Sequence, residues 1–206
     1  MFWAVFYTFR TMPNAKFFQP YLCLMIGLVF WCQPQAALCD DNLKDEIPTR
    51  YGLAAVLAKT FDPVGNIYFV QMSGFVMWDY DKIWRHWAPD PLRFKIEATA
   101  GMTVSPFRRA IISTGMMALY YLEFISNPRW LPFIEGGIGA IYTDFRVEDQ
   151  GSRFNFNPRI GIGMEFNIDS GQTLFSTIRL SHISNGGFLS ENRGVNSVVW
   201  MIGYFF

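Results

Sequence analysis

A histidine and a serine stand two positions apart near the C-terminal end of the chain, in the segment Leu180-Ser181-His182-Ile183-Ser184-Asn185-Gly186-Gly187. The residues before them have the character of a β-strand, in which alternate side chains point to the same side. His182 and Ser184 would therefore share one face. A hydroxyl within reach of an imidazole can lose its proton and become a nucleophile. On the residues alone, the same pair is also typical of the polar end of a strand.

The elements that would position this pair are β-strands. From residue 49 onward no segment shows the 3.6-residue period of a helix, and clusters of Pro, Gly, Asn and Asp separate the apolar segments. We predict eight strands, at about residues 49–60, 66–79, 91–104, 109–125, 131–146, 154–167, 172–184 and 195–206.

Alternation along these strands indicates which side of the sheet faces water. In the third strand, Leu92 and Ile96 fall on one side and Lys95 and Glu97 on the other. A soluble barrel buries its apolar side, whereas a transmembrane barrel has an apolar exterior and a polar lumen. The predicted strands are at least as long as the roughly 9–11 residues that cross a bilayer. The polar side carries opposite charges that could pair in a lumen, namely Arg93, Lys95, Arg159 and Arg179 with Glu97, Glu123, Glu135 and Glu165.

The chain ends in Trp200-Met201-Ile202-Gly203-Tyr204-Phe205-Phe206, which resembles the C-terminal signal of bacterial outer-membrane proteins. We therefore predict an all-β fold, an eight-stranded antiparallel transmembrane barrel of the bacterial outer membrane, over residues 40–206. Trp78, Trp84 and Trp87 fall near strand ends, where aromatic girdles belong. A soluble, lipocalin-like barrel is the alternative.

Residues 1–39 are predicted to be a secretory signal peptide, cleaved near positions 37–39. An apolar run over residues 21–32 follows Arg10 and Lys16 and precedes small residues, and it is short for a membrane-spanning helix. Met12 is an alternative start. A lipid anchor on Cys39 is a further alternative, which Leu38 disfavours.

Composition excludes several classes of function. The chain of 206 residues has 17 Lys and Arg and 17 Asp and Glu, so its zero net charge gives no reason to expect nucleic acid as a partner. Its histidines, His86 and His182, do not have the spacing of a zinc site. We expect neither a metal nor another cofactor.

Strand parity predicts the side on which the pair lies. His182 and Ser184 continue the even-numbered series of Leu174, Ile178 and Leu180, which would face lipid. Asn196 belongs to the lipid-facing series of the next strand. Seven crossings from a periplasmic start would place these polar groups at the outer leaflet.

The motif His182-x-Ser184-Asn185-x-Gly187, followed by Glu191-Asn192-x-Gly194 and Asn196-Ser197, resembles the PagL-type lipid A 3-O-deacylases. That resemblance implies a serine esterase that removes an ester-linked acyl chain from the 3-position of lipid A. It implies that Ser184 is the nucleophile and His182 the general base. It also implies that Asn185, Gly187 and Asn192 line the site or donate to the oxyanion. Lipopolysaccharide and outer-membrane lipid would be the partners, and a homodimer is left open.

One position departs from the family pattern. The third member of the triad is expected to be Glu, fourteen residues after the histidine, and this sequence has Asn196 there. An asparagine can accept a hydrogen bond from the imidazole and fix its tautomer, but it adds no charge. We expect either a slower enzyme or a carboxylate from elsewhere. Glu191 is the nearest in sequence, and Glu165 is disfavoured because it falls on the lumenal side. A non-catalytic barrel, structural or lipid A-binding, is the alternative function.

Overall fold

The computed structural model describes residues 47–168 and 172–206. The predicted signal peptide lies outside the described residues, as do residues 40–46 of the predicted barrel. The strands are β1 (Arg50–Asp62), β2 (Tyr68–Asp79), β3 (Leu92–Ser105), β4 (Ala110–Tyr121), β5 (Trp130–Thr143), β6 (Phe154–Phe156), β7 (Arg159–Asn167), β8 (Thr173–Ile183) and β9 (Val195–Phe205). Among these residues, no helix is long and apolar enough to span a membrane.

The strands form one closed antiparallel sheet. Strands that are neighbours in sequence pair with one another, except that β6 and β7 both pair with β5, and β9 pairs with β1 to close the ring. Strands β6 and β7 are one predicted strand with an interruption, because Ala140↔Phe156 and Gly137↔Arg159 keep a single register against β5. The break falls at Pro158, which has no N–H to donate. With β6 and β7 counted as one, the barrel therefore has eight strands, and the predicted fold is confirmed.

Two short helices lie at one end of the barrel, one in a predicted connection and one within a predicted strand. Helix α1 (Tyr80–Trp84) follows β2, and the Asp79 side chain caps it by accepting a hydrogen bond from the Tyr80 N–H. With five residues it is too short to produce a helical period. The predicted strand 109–125 ends at Tyr121 and is followed by a 3₁₀ helix, Glu123–Ile125.

Charged side chains fill the barrel interior and pair there. Arg179 donates to Glu97 through both Nη atoms, at 2.9 Å each, and to Glu135 through Nε at 2.5 Å. Lys95 lies 2.6 Å from Glu135, and Arg159 lies 2.7 Å from Glu97. All five side chains are buried, which a closed network of opposite charges makes tolerable.

The prediction of a lumenal Glu123 is wrong. This residue is exposed in the 3₁₀ helix, because β4 ends before the alternation reaches it. Arg93 lies near the same end of the barrel and pairs with Asp79 at 3.5 Å.

The outside of the barrel is apolar. Large aliphatic side chains stand exposed along every long strand, among them Leu57, Val70, Ile96, Ile112, Ile138, Ile162, Ile178 and Ile202. An exterior of this kind is what lipid requires and what water disfavours. The arrangement is that of a membrane barrel, and the lipocalin-like alternative is wrong.

Candidate active site

The outward face of β8 carries His182 at its end. Leu180, two residues earlier on this face, is 54% exposed, whereas the intervening Ser181 is buried in the lumen. Ser184 follows directly after the strand and is held by the backbone of Phe156, with N–H to carbonyl distances of 2.8 and 3.1 Å. The alternation therefore continues through the serine, and His182 and Ser184 lie on the same outward side, both partly exposed.

Asn196 lies beside the histidine on the neighbouring strand. The register pairs His182 directly with Asn196, and their Nδ1 and Oδ1 atoms are 2.6 Å apart. This short contact is a hydrogen bond in which the amide oxygen accepts. The structure thus places Asn196 next to His182, on the outward side that Ser184 shares.

Gly194 lies against the ring of His182. A Cβ at this position would overlap the imidazole, with ring Nε2 only 3.0 Å away. Only glycine leaves room for the ring in its observed place. This glycine therefore helps to set the position of the histidine relative to Asn196.

The loop between β8 and β9 is organised by Asn185, whose side chain is buried. Its Oδ1 accepts from the Gly187 N–H at 2.9 Å, and its Nδ2 donates to the Glu191 carbonyl at 2.8 Å. Its own N–H donates to Asn192 Oδ1 at 2.8 Å. Asn185 and Gly187 thus hold the loop in shape, and the exposed Asn192 keeps its Nδ2 group as a donor.

The same loop is attached to the hairpin between β5 and β6. The Gly151 N–H donates to the Glu191 carbonyl and the Arg193 N–H to the Asp149 carbonyl, both at 2.8 Å. An open cleft of about 560 Å³ lies above these contacts and is lined by both acidic and basic side chains, including Glu191.

Two carboxylates that the sequence analysis considered occupy other places. Glu191 lines the cleft, and Glu165 lies in the lumen, where Arg50 and the Tyr121 hydroxyl bind it at 2.9 and 2.5 Å. The carboxylate next to Asn196 belongs to Asp62, whose Oδ2 lies 2.9 Å from the Asn196 Nδ2. Asp62 was not predicted to be part of the site, because it lies just after the first predicted strand, 49–60, among turn-forming residues.

An aromatic cluster beside the serine was not predicted from the sequence. Phe156 pairs with Ser184 across the sheet, and its ring lies 5.8 Å from that of Phe188. Phe188 is 80% exposed and Phe156 is 40% exposed. An apolar surface therefore adjoins the serine on the lipid side.

Known proteins resemble this chain in both sequence and structure. The model of the family described as lipid A 3-O-deacylase (PagL) matches residues 70–205. Lipid A deacylase PagL of Pseudomonas aeruginosa is 35% identical over 126 residues, which cover 58% of this chain and 69% of that protein.

Two solved structures share the barrel. The crystal structure of the outer membrane enzyme PagL is 27% identical, covers 74% of this chain and 97% of its own, and superposes with a TM-score of 0.54. Neisserial surface protein A has a TM-score of 0.58 over 79% of this chain and 98% of its own, but its 15% identity shows the fold alone. With the family model matching most of the chain, the protein belongs to the lipid A 3-O-deacylase (PagL) family of outer-membrane β-barrels.

Proposed function

We propose that this protein is a serine esterase of the outer membrane that removes the ester-linked 3-O acyl chain from lipid A of lipopolysaccharide. The observation that carries the proposal is the position of His182, Ser184 and Asn196 on the lipid-facing side of the barrel, with His182 and Asn196 2.6 Å apart. Family membership supports the lipid A substrate.

The external end of the barrel is where this chemistry would take place. The site lies at the end opposite to the start of β1 and the end of β9. With the N-terminal end of β1 in the periplasm, His182 and Ser184 are level with the outer leaflet, where lipid A resides. Polar side chains on the lipid side are far less costly there than at mid-bilayer.

His182 acts as the general base in this proposal. Its Nδ1–H donates to Asn196, which places the lone pair on Nε2, the atom that takes the Ser184 proton. Ser184 Oγ then bonds to the ester carbonyl carbon, and His182 returns the proton to the departing 3-oxygen of the sugar. A water molecule, deprotonated by the same imidazole, hydrolyses the acyl-enzyme and releases the fatty acid.

The loop supplies the hydrogen-bond donor that we assign to the oxyanion. Asn185 Nδ2 and the Gly187 N–H already donate within the loop, so Asn192 Nδ2 is the donor we assign to the developing charge. A correctly placed amide of this kind contributes strongly, because its dipole is oriented before the reaction begins.

The aromatic cluster gives the acyl chain a place to bind. Phe156 and Phe188 adjoin Ser184 and face lipid, so an acyl chain can reach the serine from the bilayer without passing through the polar lumen. The lumen is closed to such a chain, because the charged network fills it and leaves a cavity of about 30 Å³.

The test is mass spectrometry of lipid A from cells that express the wild type, Ser184→Ala or Ser176→Ala. Ser176 is the matched control, an outward-facing serine on the same strand that accepts a hydrogen bond from Trp200. We expect loss of one acyl chain with the wild type and with Ser176→Ala only. Identical lipid A in all three strains would contradict the enzymatic proposal.

A non-catalytic barrel that binds lipid A is the second candidate, and the amide at position 196 is the observation that favours it. It predicts that the wild type and Ser184→Ala bind lipopolysaccharide equally and that neither hydrolyses it.

A further inference from the structure

We propose that Asp62 is a positioning residue that orients the Asn196 amide and supplies the negative charge that the amide lacks. The proposal rests on the proposed function, since it assigns His182 as the base. It extends the site from β8 and β9 to a third strand, β1, some 120 residues away in sequence.

An irregularity in β1 brings Asp62 to the site. Ala54, Val56, Ala58 and Thr60 all point into the barrel, so regular alternation would also place residue 62 inside. The register with β9 changes, however, from Thr60↔Ser197 to Asp62↔Asn196. One extra residue in β1 thus turns the Asp62 side chain to the outer face, beside Asn196. Bulges often redirect side chains next to active sites in this way.

The hydrogen bonds of His182, Asn196 and Asp62 all run in one direction, with His182 donating to Asn196 and Asn196 donating to Asp62. A carboxylate can only accept, so Asn196 must present its Nδ2 to Asp62, at 2.9 Å. The amide oxygen is thereby turned toward His182, at 2.6 Å. An amide oxygen also only accepts, so His182 carries its proton on Nδ1 and leaves Nε2 basic. Without Asp62 the amide could rotate and donate to Nδ1, which would select the inactive tautomer.

The charge of Asp62 also favours the protonated imidazole that forms during the reaction. Hydrogen bonds in a chain polarise one another, so the Asn196 amide passes on part of the carboxylate's effect. Arg193 lies 3.5 Å from the other side of this carboxylate, and both side chains are about half exposed. That exposure leaves the ion pair weak.

The experiment measures how fast Ser184 reacts with a fluorophosphonate probe, using the full-length barrel refolded in detergent micelles. The serine oxygen bonds to phosphorus, fluoride leaves, and His182 takes the proton, so the rate reports activation of the serine independently of lipid A. Release of acyl chain from lipopolysaccharide is measured on the same samples. A shift in gel mobility on heating identifies variants that have folded.

We expect Asp62→Ala to lower the labelling rate about tenfold, a fraction of what a general base contributes. Asp62→Glu keeps the charge and should retain more of the rate than Asp62→Ala. Arg193→Gln and the loop variant Asp144→Asn are controls that should stay within about twofold of the wild type. In an Asn196→Ala background, Asp62→Ala should have no further effect, because Asp62 acts through that amide.

Three results would overturn the proposal: wild-type labelling of folded Asp62→Ala, an equal loss in Arg193→Gln, or an undiminished loss in the Asn196→Ala background. A wild type that does not label at Ser184 would overturn it as well. If labelling follows the expected pattern while lipopolysaccharide stays intact, the role of Asp62 stands and the proposed substrate is wrong.

Discussion

At the scale of single residues, the amide at position 196 determines how the site can work. An asparagine beside a histidine can donate or accept, so its orientation needs a further partner. Here Asp62 lies 2.9 Å from its Nδ2. His182, Asn196 and Asp62 therefore form one row across three neighbouring strands, with the carboxylate at the end of the row.

Introducing a glutamate at position 196 should not by itself improve the proposed enzyme. In Asn196→Glu the new carboxylate would lie beside Asp62, and two like charges in contact are unfavourable. The double variant Asn196→Glu/Asp62→Asn removes that repulsion and rebuilds a direct carboxylate–histidine contact. We expect its kcat/KM on lipopolysaccharide micelles to exceed that of Asn196→Glu by about tenfold. Equal rates for the two variants would contradict this account of Asp62.

Gly194→Ala should displace the His182 ring and lower kcat, with little effect on the fold. The added methyl group overlaps the imidazole, so the ring must leave its place beside Asn196. We expect kcat to fall by about 100-fold. The control is Gly65→Ala in the loop after β1, where the nearest atom to an added Cβ is 3.9 Å away. Steady-state kinetics on both variants checks the prediction, which a normal kcat in Gly194→Ala would refute.

The sequence predicted a shared face for His182, Ser184 and Asn196 because the alternation of β8 continues through Ser184 and that of β9 begins regularly. It did not predict Asp62, because a bulge reverses the alternation at the last residue of β1. Nothing in the residues around Asp62 indicates which side the extra residue leaves exposed, since this depends on pairing with β9.

At the scale of elements, the loop after β8 has a fixed shape through its attachment to the hairpin between β5 and β6. The backbone contacts of Phe156 with Ser184 and of Gly151 with Glu191 hold the two segments together. The interruption at Pro158 was not predicted, because residues on either side of it keep the same register and so the same alternation of inward and outward side chains.

The aromatic cluster should affect binding of the acyl chain more than catalysis. Phe188→Ala removes an exposed ring beside Phe156, so we expect KM for lipopolysaccharide to rise about fivefold while kcat changes less than twofold. Phe124→Ala is a matched control, because this ring is 81% exposed against 80% for Phe188 but lies at the opposite end of the barrel. A fall in kcat without a change in KM would contradict the assigned role.

At the scale of the whole molecule, the stability of the barrel and its proposed catalysis depend on different side chains. The charged network fills the lumen, while the proposed catalytic residues lie on the outer face, so the two groups of side chains are separate. Alternation predicted the lumenal charges well, because a strand has only two sides. It could not predict where β4 ends, and Glu123 was misplaced for that reason.

Arg179→Met should destabilise the barrel strongly, since it leaves Glu97 and Glu135 without their central cation. Removing one partner from a buried ion pair costs about 3–5 kcal/mol. Arg109→Met is the control, because that side chain is 55% exposed in its ion pair with Asp144. Urea unfolding in lipid vesicles should show a much lower midpoint for Arg179→Met only. Equal midpoints would mean that the network does not stabilise the barrel.

The central claim is that Ser184, on the lipid-facing side of the barrel, hydrolyses an ester of lipid A. Its most direct test is to incubate the purified barrel with lipopolysaccharide in detergent micelles and to identify the released acids by mass spectrometry. We predict release of the 3-O acyl chain by the wild type and by Ser176→Ala, and none by Ser184→Ala. Release that continues in Ser184→Ala, or no release by any of the three proteins, would contradict the claim.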